Sequence, residues 1–181
     1  SGKLKGRTFE YIKSNITRPL KDSVKESIFN ILTHSNEFSL KIKGANVLDL
    51  YSGVGSFGIE CMSRGAEKVT FFEQDSNAHK ILKQNIEKLS LWNEATIIHD
   101  KVEKIKKWIK KKKFNIFFLD PPFADKKYIE TLKDIKKNKL FFNDHIVIVH
   151  REKDSKDNLE DYMKLIIGKN YGRSKVFFGK F

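Results

Sequence analysis

The sequence predicts an α/β fold in which a mostly parallel sheet carries helices on both faces. Short apolar runs alternate with segments of helical periodicity, a glycine-rich turn follows the first apolar run, and two final apolar runs flank a polar turn. A chain of 181 residues is long enough for one such domain and too short for two. We therefore expect a single domain over residues 1–181, with an N-terminal arm and helix over 1–45 and the core over 46–181.

The first 45 residues are predicted to form an arm followed by one helix. Residues 11–17 are polar and favour an extended or hairpin-like arm. Pro19 suits the first turn of a helix, because that position needs no backbone N–H. The apolar face of this helix is formed by Val24, Ile28, Phe29, Ile31 and Leu32. The segment could serve as a lid, as an arm for a partner or as packing for the sheet.

The core is predicted to alternate strands and helices. Its strands are short apolar runs, at 46–50, 69–72, 95–99, 114–119 and 146–150. Its helices have apolar residues at helical spacing and occupy 59–65, 76–89, 102–109 and 128–136. Ser76 is placed to cap the second of these helices. Residues 165–169 and 175–181 form a closing hairpin, which adds an antiparallel strand after the parallel run.

Charge and composition narrow the class of partner. The formal net charge of +13 and the pI of about 9.7 favour polyanions, nucleic acid first. Only five of the 36 basic residues are arginine, so the lysine-rich composition also fits an AT-rich genome. No apolar stretch reaches roughly 18 residues, so we expect no membrane span. Cys61 is the only cysteine, which argues against a disulfide and fits a cytoplasmic protein.

A glycine-rich turn follows the first predicted strand. Gly53, Gly55 and Gly58 match the spacing G-x-G-x-x-G, and Glu73 ends the next strand 20 residues after Gly53. In nucleotide-binding folds such glycines let the backbone approach the ligand, the helix start offers free N–H groups, and the acid binds ribose hydroxyls. The pattern predicts an adenosine-containing cofactor, and both NAD and S-adenosylmethionine fit it.

Asp49 helps to separate these two cofactors. It lies at the end of the first strand, where a carboxylate would repel a pyrophosphate and would suit the ammonium group of S-adenosylmethionine. It could also order a water molecule or a backbone amide, or cap the following loop. A nicotinamide-dependent oxidoreductase is further disfavoured because no Tyr-x-x-x-Lys pair follows the fifth strand. The sequence therefore favours S-adenosylmethionine.

The tetrapeptide Asp120-Pro121-Pro122-Phe123 follows the fourth predicted strand. Asp120 can accept a hydrogen bond from an exocyclic amine, and the prolines fix the turn and leave their carbonyls free as acceptors. Phe123 offers a face for a base to stack on, worth roughly 1–3 kcal/mol. A rigid turn capped by Asp120 is the alternative. Beside a cofactor motif, the tetrapeptide favours methylation of an amino group on a flat base.

The histidines do not predict a metal site. No ligand spacing is formed by His79, His99, His145 and His150, so we expect no metal. His150 and Glu152 follow the fifth strand, and either could reach the rim of the pocket.

Together these segments resemble the bacterial 16S rRNA guanine-N2 methyltransferases of the RsmD type, over nearly the whole chain. The family-specific part is Arg18-Pro19-x-x-Asp22-x-Val24-Lys25-Glu26-Ser27-Ile28-Phe29-Asn30. Further matches are Leu48-Asp49-Leu50-Tyr51-Ser52-Gly53-Val54-Gly55, Gly58-Ile59-Glu60, Ser63-Arg64-Gly65-Ala66 and the tetrapeptide. Tyr51-Ser52 departs from the usual Phe-Ala. The resemblance implies a Rossmann-like seven-stranded S-adenosylmethionine-dependent methyltransferase sheet, mostly parallel with an antiparallel C-terminal strand, plus an N-terminal extension.

The resemblance also implies residue roles. The cofactor would be bound by Asp49, Ser52, Gly53, Gly55, Glu73, Gln74, Asp100 and Arg18. Within this set Glu73 would bind the ribose, and Asp100 would meet the adenine amino group or cap the helix that begins at Val102. The target base would be held by Asp120, Pro121, Pro122 and Phe123. Asp22 would help Arg18 to close the site.

The implied function is methyl transfer from S-adenosylmethionine to the exocyclic N2 of a guanine in 16S rRNA of the small (30S) ribosomal subunit. Nothing in the sequence indicates an oligomer or a membrane partner, so we expect a monomer. The alternatives are an adenine-N6 DNA methyltransferase, a glutamine methyltransferase acting on protein, and a non-catalytic rRNA-binding assembly factor. The intact glycine turn disfavours the last, because a pure binder needs no cofactor pocket.

Overall fold

The computed structural model describes residues 20–181. Its strands are β1 Asn46–Leu50, β2 Lys68–Phe72, β3 Ala95–Ile98, β4 Phe114–Leu119, β5 Phe141–Glu152, β6 Lys164–Tyr171 and β7 Ser174–Lys180. They form a seven-stranded sheet of order β3-β2-β1-β4-β5-β7-β6. Strands β1 to β5 pair in parallel, and β7 runs antiparallel between β5 and the edge strand β6. The predicted mostly parallel sheet with an antiparallel C-terminal strand is confirmed.

The helices of the described part are α1 Asp22–His34, α2 Ser56–Ser63, α3 Ser76–Lys88, α4 Ile105–Ile109 and α5 Tyr128–Lys137. A 3-10 turn, Val102–Lys104, precedes α4, and another spans Leu159–Asp161. The helix predicted after Pro19 begins at Asp22, while Pro19, Arg18 and the arm lie outside the described residues. The prediction that Ser76 caps α3 is wrong. Asp75 is the cap, and its carboxylate accepts from the backbone N–H groups of Asn77 and Ala78 at 3.0 and 2.8 Å.

Two apolar cores lie on opposite faces of the sheet. The first core packs α1, α2 and α3 against the sheet, and Phe57 stacks within it at 4.0 Å from Phe118, ring centroid to ring centroid. The second core contains the buried faces of α4 and α5. Side chains alternate between the cores along β4, with Phe118 facing the first and Phe117 and Leu119 facing the second. The same alternation places consecutive residues at the end of β5, His150 and Arg151, on opposite faces of the sheet.

Strand β5 is much longer than the predicted 146–150. Residues 142–144 at its start are exposed and polar or aromatic, so they carry no buried-strand pattern. At its other end, His150 and Arg151 are buried although both are polar. Among residues 20–181, no helix is both long and apolar enough to cross a bilayer.

Candidate active site

The candidate site lies where the parallel strands β2, β1, β4 and β5 end at one edge of the sheet. Parallel neighbours bring the segments that follow their carboxyl ends together, and ligands of open α/β sheets bind there. The glycine turn follows β1, Glu73 follows β2, and the tetrapeptide follows β4. The fold therefore brings both predicted motifs to the same edge.

The glycine turn is held in a conformation that other residues rarely adopt. Gly55 has a φ of +87°, and a Cβ there would overlap the Leu82 side chain of α3. Gly53 has a φ of +56°, and its missing Cβ would meet nothing within 4 Å. Ser52 is buried, and its hydroxyl lies 2.7 Å from the Asp49 carbonyl and 3.0 Å from the Phe72 carbonyl. Ser52 thus fixes the turn against β2, while Gly53 leaves open space beside it.

Asp49 is almost completely buried, with 1% of its surface exposed. Its Oδ2 accepts a hydrogen bond from the Gly58 backbone N–H at 2.9 Å, at the start of α2. Burial raises the pKa of this carboxyl well above its usual range, and the Gly58 hydrogen bond only partly opposes the effect. Among the roles that the sequence allows for Asp49, the structure shows the binding of a backbone amide. The pKa also rises through the nearby charges of Asp120 and Glu73.

Glu73 joins the turn to the end of β2. Its Oε2 accepts from the Gly53 N–H at 2.6 Å, and its Oε1 accepts from the Asp75 N–H at 2.7 Å. Burial raises the pKa of Glu73, although these two N–H groups act to lower it. Each carboxylate oxygen keeps a further lone pair, so the group can still accept from ribose hydroxyls. Gln74, next in the chain, is exposed beside it.

Asp100 follows β3 and is held by three donors. Its Oδ2 accepts from the indole N–H of Trp108 at 2.9 Å, while its Oδ1 lies 2.9 Å from the Lys104 ammonium. Its Oδ1 also accepts from the Lys101 N–H at 2.8 Å. The Lys104 hydrogen bond, followed by those from Trp108 and Lys101, lowers the pKa of Asp100. The predicted cap at Asp100 is wrong, because Lys101 occupies the cap position of the turn at Val102.

These residues fit S-adenosylmethionine. A cleft of about 440 Å³ is lined by Gln74, Asp75, His99, Asp100, Lys101 and Lys104. It lies beside Glu73, and the open space at Gly53 gives the ligand a second region to occupy. Carboxylates suit the ribose hydroxyls, the adenine amine and the ammonium group of this molecule. In the described part of the chain, no group of three histidine, cysteine or acidic residues could hold a metal ion.

The Asp120 carboxylate is paired with a histidine. Asp120 Oδ1 lies 2.7 Å from His150 Nδ1, and the two side chains are 20% and 9% exposed. The imidazole also meets the Phe123 ring edge to face, with ring centroids 6.0 Å apart. His150 Nε2 is buried and has no hydrogen-bond partner within residues 20–181. His150 therefore contacts both side chains that were predicted to hold the target base.

Arg151 holds the tetrapeptide from the opposite face of β5. It is 1% exposed, and its guanidinium donates to the carbonyls of Phe123 at 2.8 Å, Pro122 at 3.2 Å and Pro121 at 3.4 Å. The expectation that the proline carbonyls are free is therefore wrong. Arg151 Nε also donates to Asp157 Oδ2 at 2.7 Å, and the guanidinium lies over the Tyr128 ring.

Sequence reasoning missed Arg151 and Asp157. Arg151 could have been found from the alternation of β5, since Val147, Val149 and Arg151 share one face of the strand. Asp157 lies in a loop six residues later, and no periodic pattern marks it. The Asp157 carboxyl has a lowered pKa, because hydrogen bonds from Ser155 and Arg151 outweigh the effect of burial, which would raise it.

The order of this sheet, with an acid-flanked glycine turn and the loop Asp120-Pro121-Pro122-Phe123 at one edge, is that of S-adenosylmethionine-dependent methyltransferases. The family model described as conserved hypothetical protein 95 matches residues 1–180. The chain belongs to this family, the RsmD-type methyltransferases.

Named relatives agree with this assignment. The chain is 34% identical over 154 residues to the ribosomal RNA small subunit methyltransferase D of Buchnera aphidicola subsp. Baizongia pistaciae, covering 84% of this chain and 74% of the relative. It is 31% identical over 156 residues to the putative rRNA methyltransferase YlbH of Bacillus subtilis, covering 85% and 82%. The solved structure of the putative methyltransferase yhhF from Escherichia coli matches with a TM-score of 0.83 and 25% identity, covering 99% and 94%.

Proposed function

We propose that this protein transfers a methyl group from S-adenosylmethionine to the exocyclic N2 of a guanine in 16S rRNA of the small ribosomal subunit. The observation that carries the proposal is Asp120, a carboxylate on a fixed loop at the edge of the sheet where the glycine turn also lies. The names of the relatives support an rRNA substrate, and the net charge of +13 suits a polyanion. The protein would act in the cytoplasm as a monomer built from one methyltransferase domain.

The residues of the loop would bind and orient the target amine. S-adenosylmethionine supplies an electrophilic methyl group on its sulfonium. Asp120 accepts one amine hydrogen, and the second lone pair of the Pro121 carbonyl accepts the other. These bonds localise the nitrogen lone pair and aim it, and both acceptors stabilise positive charge that develops on the nitrogen. Phe123 stacks on the guanine, which must leave its own stack to enter the pocket.

The cofactor would lie along the carboxyl ends of β1, β2 and β3. Glu73 would accept from the ribose hydroxyls, with Gln74 beside it, and Asp100 would accept from the adenine amine in place of the Trp108 indole. Asp49, Ser52, Gly53 and Gly55 would shape the region that receives the methionine part. Arg18, which is not among the described residues, would close the site with the help of Asp22, the first residue of α1.

The exposed lysines that follow β3 offer a surface for the rRNA backbone. Lys106, Lys107 and the run Lys110 to Lys113 are exposed along and after α4. Phosphate contacts by lysine make binding weaker as salt rises. We expect neutralisation of this run to weaken rRNA binding uniformly and to reduce its salt dependence.

The first test is to incubate the protein with radiolabelled S-adenosylmethionine and small ribosomal subunits from cells that lack the family's enzyme. Digestion of the rRNA to nucleosides then locates the label. Label in N2-methylguanosine supports the proposal. Label in another nucleoside, or only in DNA or protein offered in parallel, would replace it with one of the alternative substrates.

The matching variant is Asp120→Ala. It should lower turnover on the order of 100- to 1,000-fold, because an acceptor for the reacting amine is lost. Cofactor affinity, measured by calorimetry, should stay nearly unchanged. Asp144→Ala provides a control, since Asp144 is exposed at the far end of β5. Loss of cofactor binding in Asp120→Ala, or full activity, would contradict the assigned role.

A further inference from the structure

We infer that His150 selects guanine as the target base, by accepting a hydrogen bond at Nε2 from the ring N1–H while Asp120 holds the neighbouring amine. This inference rests on the proposed function and adds a specificity-determining residue to it. Three observations carry it: the short contact between His150 and Asp120, the buried Nε2 that has no hydrogen-bond partner among residues 20–181, and the contact of the imidazole with Phe123.

The contact with Asp120 fixes the tautomer of the imidazole. An ionised carboxylate can only accept hydrogen bonds, so the inference places the proton of the 2.7 Å contact on His150 Nδ1. In the neutral ring the other nitrogen, Nε2, then carries a lone pair and no proton. With the ring neutral, the contact with Asp120 in this way leaves Nε2 as an acceptor.

The buried Nε2 can accept a hydrogen bond that residues 20–181 do not supply. His150 is 7% exposed, and Nε2 has no hydrogen-bond partner in the described part of the chain. Buried polar atoms are nearly always paired, and an unpaired one is a cost that a ligand can remove. The imidazole lies against Asp120 and Phe123, the two side chains assigned to the amine and to the face of the base. The donor is therefore expected from the base that these side chains hold.

The edge of guanine matches this pair of acceptors. In guanine the exocyclic amine at C2 lies next to N1–H, so the edge presents adjacent donors. In adenine and cytosine the amine lies next to a bare ring nitrogen, which is an acceptor. Asp120 and His150 Nε2 would satisfy both donors of guanine, whereas Nε2 would face an acceptor in the other bases. A site built to hydrogen-bond one group rejects an analogue that lacks it.

The test compares two bases that share the reacting amine. Small subunits are reconstituted with 16S rRNA that carries guanine or 2-aminopurine at the position methylated by the wild-type protein. Both bases have an amine at C2, but N1 of 2-aminopurine has no proton. We expect kcat/KM for guanine to exceed that for 2-aminopurine by roughly 10- to 100-fold. Equal rates on the two bases would overturn the inference without using any variant.

Two variants of His150 distinguish the roles of Nδ1 and Nε2. His150→Asn places an amide N–H near the position of Nδ1, which can still donate to Asp120, and removes Nε2. His150→Phe keeps a ring against Phe123 and removes both nitrogens. In each variant the ratio of kcat/KM for guanine over 2-aminopurine should fall about 10-fold or more. Contacts to the C6 oxygen, which 2-aminopurine also lacks, cancel because the same ratio is compared between enzymes.

His145→Asn is the matched control. His145 is another buried histidine of β5, but its Nδ1 lies 2.7 Å from the Phe142 carbonyl and its Nε2 accepts from the Phe181 N–H. This variant should keep the wild-type ratio. A wild-type ratio in both His150→Asn and His150→Phe, whether or not their overall activity falls, would overturn the inference alone. Absence of N2-methylguanosine with the wild-type protein would instead overturn the proposed function, and the inference with it.

Discussion

Replacement of Arg151 by methionine tests how the loop Asp120-Pro121-Pro122-Phe123 is held. The guanidinium is 1% exposed and binds the Asp157 carboxylate, which is 6% exposed, together with the three loop carbonyls. Arg151→Met would leave Asp157 buried without its cation, which typically costs about 3–5 kcal/mol of unfolding free energy. The Pro122 carbonyl would keep its hydrogen bond from the Asp125 N–H at 2.8 Å, and Pro122 is exposed to water, so no large further cost is expected.

Loss of the Arg151 contacts should also lower the rate of methyl transfer. A shift of about 1 Å in a positioned group can cost roughly 100-fold in rate, and Arg151 donates to all three carbonyls that follow Asp120. Cofactor affinity should change little, because no contact of Arg151 involves the glycine turn or Glu73. Urea unfolding, calorimetry with S-adenosylmethionine and single-turnover methylation measure the three quantities separately.

A double variant isolates the interaction between Arg151 and Asp157. Arg151→Met combined with Asp157→Asn removes the unpaired charge, so it should be clearly more stable than Arg151→Met alone. Because the pKa of Asp157 is lowered by folding, its stabilisation exists above the ordinary carboxyl pKa and is lost as the pH falls through the lowered value. The exposed pair of Lys133 and Glu130 provides a control, and Lys133→Met should leave the unfolding midpoint unchanged. A loss below about 1 kcal/mol in Arg151→Met, or a double variant as unstable as the single one, would refute the reasoning.

Four further predictions concern the residues on the cofactor side of the site. Gly55→Ala should destabilise the fold by about 1–3 kcal/mol in urea unfolding, because the new Cβ would overlap α3 at a positive φ. Asp49→Asn should raise the free energy of unfolding at neutral pH and lose this advantage in acid. The reason is that burial raises the pKa of Asp49, so that its ionised form opposes folding. Urea midpoints at the two pH values measure the difference, and an equal shift at both would contradict the prediction. S-adenosylmethionine should change the fluorescence of Trp108 in a Trp92→Phe background as adenine displaces the indole from Asp100. Asp100→Asn should weaken cofactor binding about 10-fold in the same titration.

The fold was predictable where burial leaves a pattern. The strands β1, β2 and β4 are short apolar runs, and the glycine turn between β1 and α2 has a spacing with a known physical cause. The start of β5 was not predictable, because residues 142–144 are exposed and show neither alternation nor an apolar run. The cap of α3 was not predictable, because Asp75 and Ser76 are adjacent residues that both suit a cap and only the backbone conformation decides between them.

The site was predictable for residues within motifs and was not for residues that support them. Asp49, Glu73 and Asp120 lie at strand ends, where sequence spacing alone brings them to one edge. The pairing of Asp120 with His150 depends on the register of β4 against β5, which no local pattern encodes. The contact of Arg151 with Asp157 depends further on a loop conformation. The roles assigned to these residues stay predictions for the experiments above.

The strand order has a consequence for how specificity could change. Along the sheet the chain order runs outward from β1 through β2 to β3 on one side and from β4 to β5 on the other, so the direction of winding reverses between β1 and β4. At such a topological switch point a crevice opens between two halves of the molecule. One half contains the glycine turn and Glu73, and the other contains Asp120, His150 and Arg151. If the proposed roles hold, substitutions in the half that follows β4 would change the choice of base without altering the residues proposed to bind the methyl donor.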